Sequence, residues 1–216
     1  MSGGIKGQPM INVLTIEREY GSGAAEIAQK LADRLGWKLW DQLLTDEIAR
    51  HMQCDREHIE ERGERKDPLY YRLFKSFLRG SFEGSSMTAA QMQLADAEGI
   101  RRVAERMVRA AAKEGNCVIV GRGSAYYLRD LPNAFHIFIY APFEEKVRRL
   151  HEAGKSERDA IERVQTVDLD RAAFIKQYFG VEWPARQFFH LMLNSTMGDA
   201  AVVQTVLDGM STLQKA

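Results

Sequence analysis

The sequence predicts an α/β fold, a three-layer sandwich around a five-stranded parallel sheet. Short apolar runs at 11–16, 37–40, 117–120, 135–140 and 189–194 alternate with longer stretches of helical periodicity. Cys117-Val-Ile-Val120 is continuously apolar, as expected of a strand buried on both faces. The first run passes through the turn Gly21-Ser-Gly23 directly into an amphipathic helix, where Ala24, Ile27, Ala28, Leu31 and Leu35 share one face.

Taken in order, Gly36 suits the end of that helix, and 37–40 reads as a second strand ending at Asp41. From 43 to about 115 the pattern is helical almost throughout: Leu44, Ile48 and Met52 form a stripe, and Pro68 opens another helix. The stretch 80–86 reads as a loop, and a long helix from about 88 to 113 ends at Gly115. The third strand ends in Gly121-Arg-Gly123. Pro142 can start a helix over Phe143–Glu152, and Ser156 can cap one running towards Phe179, with Asp159 three residues on. The last helix is expected over 200–213. Parallel sheets gather ligands at the carboxyl ends of their strands. Here those ends carry Arg18 with the glycine turn, Asp41, Arg122, and Asn194 with Ser195.

A chain of 216 residues suffices for one full core, and 45% hydrophobic with 28% charged residues is ordinary for a soluble globular protein. Residues 1–10 read as a disordered lead-in without the apolar run of a signal peptide, and 11–216 as a single domain. With 30 basic and 30 acidic residues the net charge is zero, which argues against non-specific binding to a nucleic acid polymer or a membrane. No run reaches membrane-spanning length. Cys54 and Cys117 show no disulfide or metal spacing, so a reducing, cytoplasmic setting is expected. The five histidines share no metal-ligand spacing either. Arg148 and Arg149 are explained by solvated pairs with Glu144 or Glu145. Tyr70, Tyr71, Phe74, Phe77 and Phe82 suit a helical core better than a base-stacking platform.

Gly21 and Gly23 let the backbone turn tightly, so that successive amides and a helix N-terminus converge on one spot. Such a spot attracts anions, because the first helical N–H groups are unpaired and the dipole is positive there. The turn departs from the Walker A pattern GxxxxGK[ST], which places a Lys on the phosphates and a hydroxyl on Mg²⁺. With Gly23 as the last glycine, Arg18 takes the first position, Ala24 replaces the Lys and Ala25 the Ser or Thr. On turn chemistry alone, a strand–helix turn with glycines for geometry only is an equal reading.

Together these residues resemble the cytidylate kinases, and more closely the divergent cytidylate kinase-like family. The family's opening strand and turn are matched by Arg18-Glu-Tyr-Gly-Ser-Gly23, and its short strand ending in Asp by Trp40-Asp41. Val118-Ile-Val-Gly-Arg-Gly123, the strand 136–141, Asp168-Leu-Asp-Arg-Ala172 and Leu191-Met-Leu-Asn-Ser-Thr196 follow in the family's order. The resemblance runs over nearly the whole chain from residue 11.

What the resemblance implies is the P-loop nucleoside monophosphate kinase form of this sandwich, with a helical NMP-binding lobe at about 43–100 and a short lid at about 154–172. Phosphoryl transfer between two anionic nucleotides is chiefly positioning and charge neutralisation, so it needs several cations at one point together with Mg²⁺. By resemblance, Gly21, Ser22 and Gly23 hold the phosphates of ATP, with Arg18 as the surrogate for the absent Lys. Arg122 and Arg101 hold the acceptor phosphate, Asp41 contacts the acceptor, and Asp168 and Arg171 match the last two members of the lid motif. Arg18, Arg122 and Arg171 form the implied catalytic set. The departures fall on specificity: Gly123 stands where cytidylate kinases carry the Asp that helps read cytosine, and Gln42, Glu47 and Val164 replace other motif positions. Ala24 stands where the family usually has Gly, at a cost of about 1 kcal/mol if that residue needs positive φ.

The expected activity is transfer of the γ-phosphoryl of ATP, with Mg²⁺, to a nucleoside monophosphate of the CMP or dCMP kind or a related phosphorylated acceptor. The second reading is a nucleotide-binding regulatory protein that keeps the fold without the transfer, and the third a purely structural partner-binding domain. On the first reading, Arg122→Ala abolishes acceptor-dependent turnover and leaves the melting temperature nearly unchanged.

Overall fold

The computed structural model describes residues 10–41 and 97–215. The expected helical lobe up to residue 96, the lead-in to residue 9, Cys54, the loop at 80–86 and the aromatic run from Tyr70 to Phe82 lie outside the described residues.

Five parallel strands form one sheet in the order β2-β3-β1-β4-β5. They are β1 (Val13–Arg18), β2 (Lys38–Trp40), β3 (Cys117–Val120), β4 (Ala134–Tyr140) and β5 (Leu191–Asn194). The helices are α1 (Ala24–Leu35), α2 (Ala97–Glu114), α3 (Ser124–Tyr127), α4 (Phe143–Glu152), α5 (Glu157–Phe179) and α6 (Asp199–Lys215). No helix among the described residues is long and apolar enough to cross a membrane.

Strand alternation divides the core into two layers. Leu14, Ile16, Val118 and Val120 pack with α1 and α6, whereas Val13, Cys117 and Ile119 pack with α2, α3 and α5. The chain leaves β1 for β2 on one side and β4 for β5 on the other, so the sheet's topological switch point lies between the adjacent strands β1 and β4. In open α/β sheets that is where a crevice forms at the carboxyl ends.

β1 extends two residues beyond the expected apolar run, because Glu17 and Arg18 pair in register with Phe138 and Ile139 of β4. β5 begins later than expected. Phe188 and Phe189 instead pack against Tyr126, at ring distances of 5.6 and 6.3 Å. α4 has the expected bounds, and Ser156 caps α5 by accepting a hydrogen bond from the Asp159 N–H at 3.1 Å. Residues 157–172 of the expected lid form the first part of α5, one continuous helix that runs on to Phe179. Ala24 is the first residue of α1, and the positive φ falls on Gly21 and Gly23, so the anticipated strain at Ala24 does not arise.

Candidate functional site

Five residues join β1 to α1. Gly23 caps the helix in the left-handed region, with no side chain capping its first amides. Ser22 donates its N–H and its Oγ–H to the Glu19 carbonyl, at 3.4 and 2.8 Å, so its hydroxyl staples the turn. The cations nearest the turn come from α4. A Cβ on Gly21 would stand 3.2 Å from the Lys146 Cβ, and one on Gly23 would stand 2.7 Å from the Arg149 Nη1. Arg149 donates from Nη1 to the Ser22 carbonyl (2.5 Å) and to Ser195 Oγ (2.9 Å), and from Nε to Glu145 (2.7 Å). A guanidinium beside the positive end of a helix gains nothing from the dipole. Glu145 supplies the opposing charge.

Arg18 turns the other way. Its Nη1 lies 1.7 Å from where a Cβ on Gly121 would be, so the guanidinium rests on the end of β3 and not across Gly21 and Gly23. The expected donor-side surrogate cation therefore sits on the other flank of the rim, next to Arg122. The glycines around Arg122 are closely packed by the fold itself. Gly121 admits Arg18, Gly123 lies against Phe179, and residues 121–123 all have positive φ. Arg122 itself is held at φ +59°, a region that costs a side-chain-bearing residue about 1 kcal/mol.

Arg18, Arg122 and Arg171 are 4%, 1% and 7% exposed, and they line one small cleft with Glu17, Gly123, Ile175 and Trp183. Arg171 donates from Nη1 to the Arg18 carbonyl (3.0 Å) and to Asp168 Oδ1 (3.1 Å). Burial pushes Arg122 down to about 9, opposed most by Asp41 and reinforced by Arg18 and Arg171. Burial and Arg18 likewise push Arg171 down to about 10. Both stay protonated at neutral pH, and an entering anion would relieve their mutual repulsion. Burial raises Glu17 above the usual carboxylate range even against three arginines.

Asp41, at the end of β2, is 5% exposed and is the strongest charge acting on Arg122. Asp168 holds the turn through its backbone, accepting the Tyr20 N–H at 2.9 Å, and has Lys146 Nζ at 3.6 Å. Lys146 also bonds Glu19 at 2.9 Å, so α4, α5 and the β1 turn are tied at one point. Arg101 pairs with Glu105 at 3.1 Å and lies over the Tyr178 ring, two helical turns along α5 from Arg171. The structure thus brings Arg18, Arg122, Arg171 and Asp41 together, ties Asp168 to the turn, and sets Arg101 on α2.

Sequence reasoning missed Glu17, Lys146 and Arg149. Arg148 is the solvated helix-face arginine it expected, paired with Glu145 and Glu152. Arg149 makes the same kind of pair but also reaches Ser22, 127 positions away, a contact that no local spacing announces. Glu17 carries a signal in the sequence, a carboxylate directly after the apolar run 11–16. Among the described residues no cluster of three His, Cys, Asp or Glu side chains could hold a metal ion.

The fold has solved relatives. An uncharacterized protein from Eubacterium ventriosum ATCC 27560 superposes with a TM-score of 0.66 at 20% identity, over 94% of this chain and 99% of that one. A shikimate kinase from Acinetobacter baumannii in complex with shikimate has a TM-score of 0.51 at 13% identity, over 94% of each chain. A gluconokinase from Sinorhizobium meliloti 1021 has a TM-score of 0.51 at 14% identity, over 95% of each. No curated protein matches the chain. These likenesses give the architecture alone. Residues 13–197, from the first strand through the turn after the last, match the family described as cytidylate kinase-like. That stretch holds the glycine turn, the three buried arginines and the carboxylates around them, and the chain belongs to the cytidylate kinase-like family.

Proposed function

We propose that this protein transfers the γ-phosphoryl group of MgATP to a nucleoside monophosphate of the CMP or dCMP kind, or to a related phosphorylated acceptor. The observation that carries the reading is the buried meeting of Arg18, Arg122 and Arg171 at the carboxyl ends of β1 and β3, one turn away from an uncapped helix N-terminus. Phosphoryl transfer asks for this pairing, since one anion must be held at a helix N-terminus and another among fixed cations beside it.

The donor phosphates would lie along Gly21, Ser22 and Gly23, with Arg149 as the neighbouring cation, and the acceptor phosphate would lie among Arg18, Arg122 and Arg171. Asp41 would hold Arg122, and Asp168 would hold the turn and Arg171. Arg101 would meet the acceptor at the outer edge of the cleft. Mg²⁺ fits as part of the nucleotide complex, because it is often bound through one or two carboxylates and the substrate's own phosphates. Ala25 offers no hydroxyl to it.

The test is ADP release with ATP, Mg²⁺ and each nucleoside monophosphate in turn, starting with CMP and dCMP. Acceptor-dependent turnover above roughly 1 s⁻¹ supports the kinase reading. The second reading, a nucleotide-binding regulator, is favoured by one observation: Ala24 and Ala25 are both buried in the packing of α1, where cytidylate kinases present an ammonium and a hydroxyl. Silence across the acceptor panel, with ATP still raising the melting temperature, would select it.

A further inference from the structure

Glu17 is unusual in this cleft. It is 6% exposed, it sits on the face of β1 covered by α2, α3 and α5, and a backbone hydrogen bond from Ala125 supports it. Among the described residues its Oε1 has no hydrogen-bond partner, and neither do the Nε and Nη2 of Arg18. Both residues line the same cleft with Arg122 and Arg171. Buried polar atoms in native proteins are nearly always satisfied, so unsatisfied donors and an unsatisfied acceptor on residues lining one cleft describe the complement of a ligand. The donors on Arg18 require an anionic oxygen. Burial raises Glu17 and the three arginines oppose it; in the ionised form they favour, its acceptor requires an O–H or N–H on the same small group, because a carboxylate repels a bare oxyanion.

We propose that this cleft is a site for a protonated oxyanion, an acid phosphate group whose P–O–H donates to Glu17 Oε1 while its anionic oxygens take the free donors of Arg18 within the field of Arg122 and Arg171. The inference deepens the acceptor side of the kinase reading and rests on it. It makes Glu17 the specificity-determining residue that selects a phosphate carrying a proton over an oxyanion without one. The cleft is nearly closed, with a volume of about 10 Å³, so admitting a phosphate requires its walls to part.

Inorganic phosphate and sulfate separate the possibilities, since they match in size and shape but only phosphate carries a proton at pH 7. Titration calorimetry on the full chain is expected to give phosphate at least a tenfold advantage over sulfate, the fold-change of one hydrogen bond to a charged group. Glu17→Gln, whose amide can donate to a bare oxygen, is expected to gain sulfate affinity and lose the preference. Equal binding of the two anions by the wild-type protein overturns the proposal without any variant. A preference that survives in Glu17→Gln overturns the role of Glu17, and binding of neither anion at tens of millimolar overturns the site. Acceptor-dependent ADP release with equal phosphate and sulfate affinities would sink this inference alone. A preserved phosphate preference without any ADP release would sink the kinase reading alone.

Discussion

Arg171 donates from Nη1 to the backbone carbonyl of Arg18 at 3.0 Å, joining residues 153 positions apart. This bond fixes α5 to the last residue of β1, where the glycine turn begins. Because the same nitrogen also meets Asp168, which accepts the Tyr20 N–H, one guanidinium braces both ends of the strand–turn junction.

Arg171→Ala should therefore destabilise the fold by about 3 kcal/mol, as expected when one partner of a buried ion pair is removed and the other stays buried. Urea denaturation measures it. Arg171→Lys should recover part of the loss, since the ammonium keeps the charge but ends a shorter side chain than the Nη1 that meets both acceptors. A change below 0.5 kcal/mol in the alanine variant would show that the junction is held by packing alone.

At Arg122 the structure revises the expectation that alanine would leave stability nearly unchanged. The side chain is 1% exposed and Asp41 is the strongest charge acting on it, so its removal takes a cation away from a buried carboxylate. Arg122→Ala should abolish turnover and also lower the melting temperature. Arg122→Gly should abolish turnover equally but be about 1 kcal/mol more stable than the alanine variant, because only glycine occupies φ +59° without strain. Equal stabilities of the two would mean that the backbone relaxes out of the left-handed region.

Much of the sheet was legible in the sequence because parallel strands buried on both faces must be apolar, as in Cys117-Val-Ile-Val120. The caps were legible too, since Pro142 and Ser156 act through their own backbones or nearest neighbours. Strand ends were misjudged where they enter the site: Glu17 and Arg18 look like turn residues and are buried in β1. The glycine before Arg122 shows its purpose only in the fold, where Gly121 makes room for Arg18. Lys146 and Arg149 stayed hidden because a helix-face cation four residues from a carboxylate looks solvated until tertiary structure places a second partner against it.

The contact between Arg18 and Gly121 can be measured by a double-mutant cycle. Gly121→Ala alone must bear both the left-handed backbone, φ +66°, and a Cβ placed 1.7 Å from the Arg18 Nη1, so the guanidinium is expelled from its buried position. In an Arg18→Ala background the same change should cost only the backbone term of about 1 kcal/mol. The coupling between the two sites should reach at least about 1 kcal/mol in urea unfolding. Additive effects would mean that Arg18 has another low-energy position.

Acid stability should depend on a histidine pair at the other end of the sheet from the cleft. His136 meets Thr15 Oγ1 through Nδ1 at 2.7 Å, and its backbone N–H donates to His190 Nδ1 at 2.9 Å, so His190 must keep that nitrogen unprotonated. Burial lowers His136 to about 4, helped by His190, and burial lowers His190 as well. The unfolded chain then binds more protons than the folded one below the ordinary histidine range. The stabilisation is full above pH 6.5 and is lost as pH falls towards 4, to a limit of about 3 kcal/mol for His136. Glu17, raised by burial, contributes the opposite slope, because its stabilisation is lost as pH rises through its folded value. Subtracting the profile of His136→Gln from that of the wild type isolates the histidine term. Urea midpoints between pH 7.5 and 4.5 should fall more steeply in the wild type than in the variant, and parallel profiles would show that His136 is protonated without loss in the folded state.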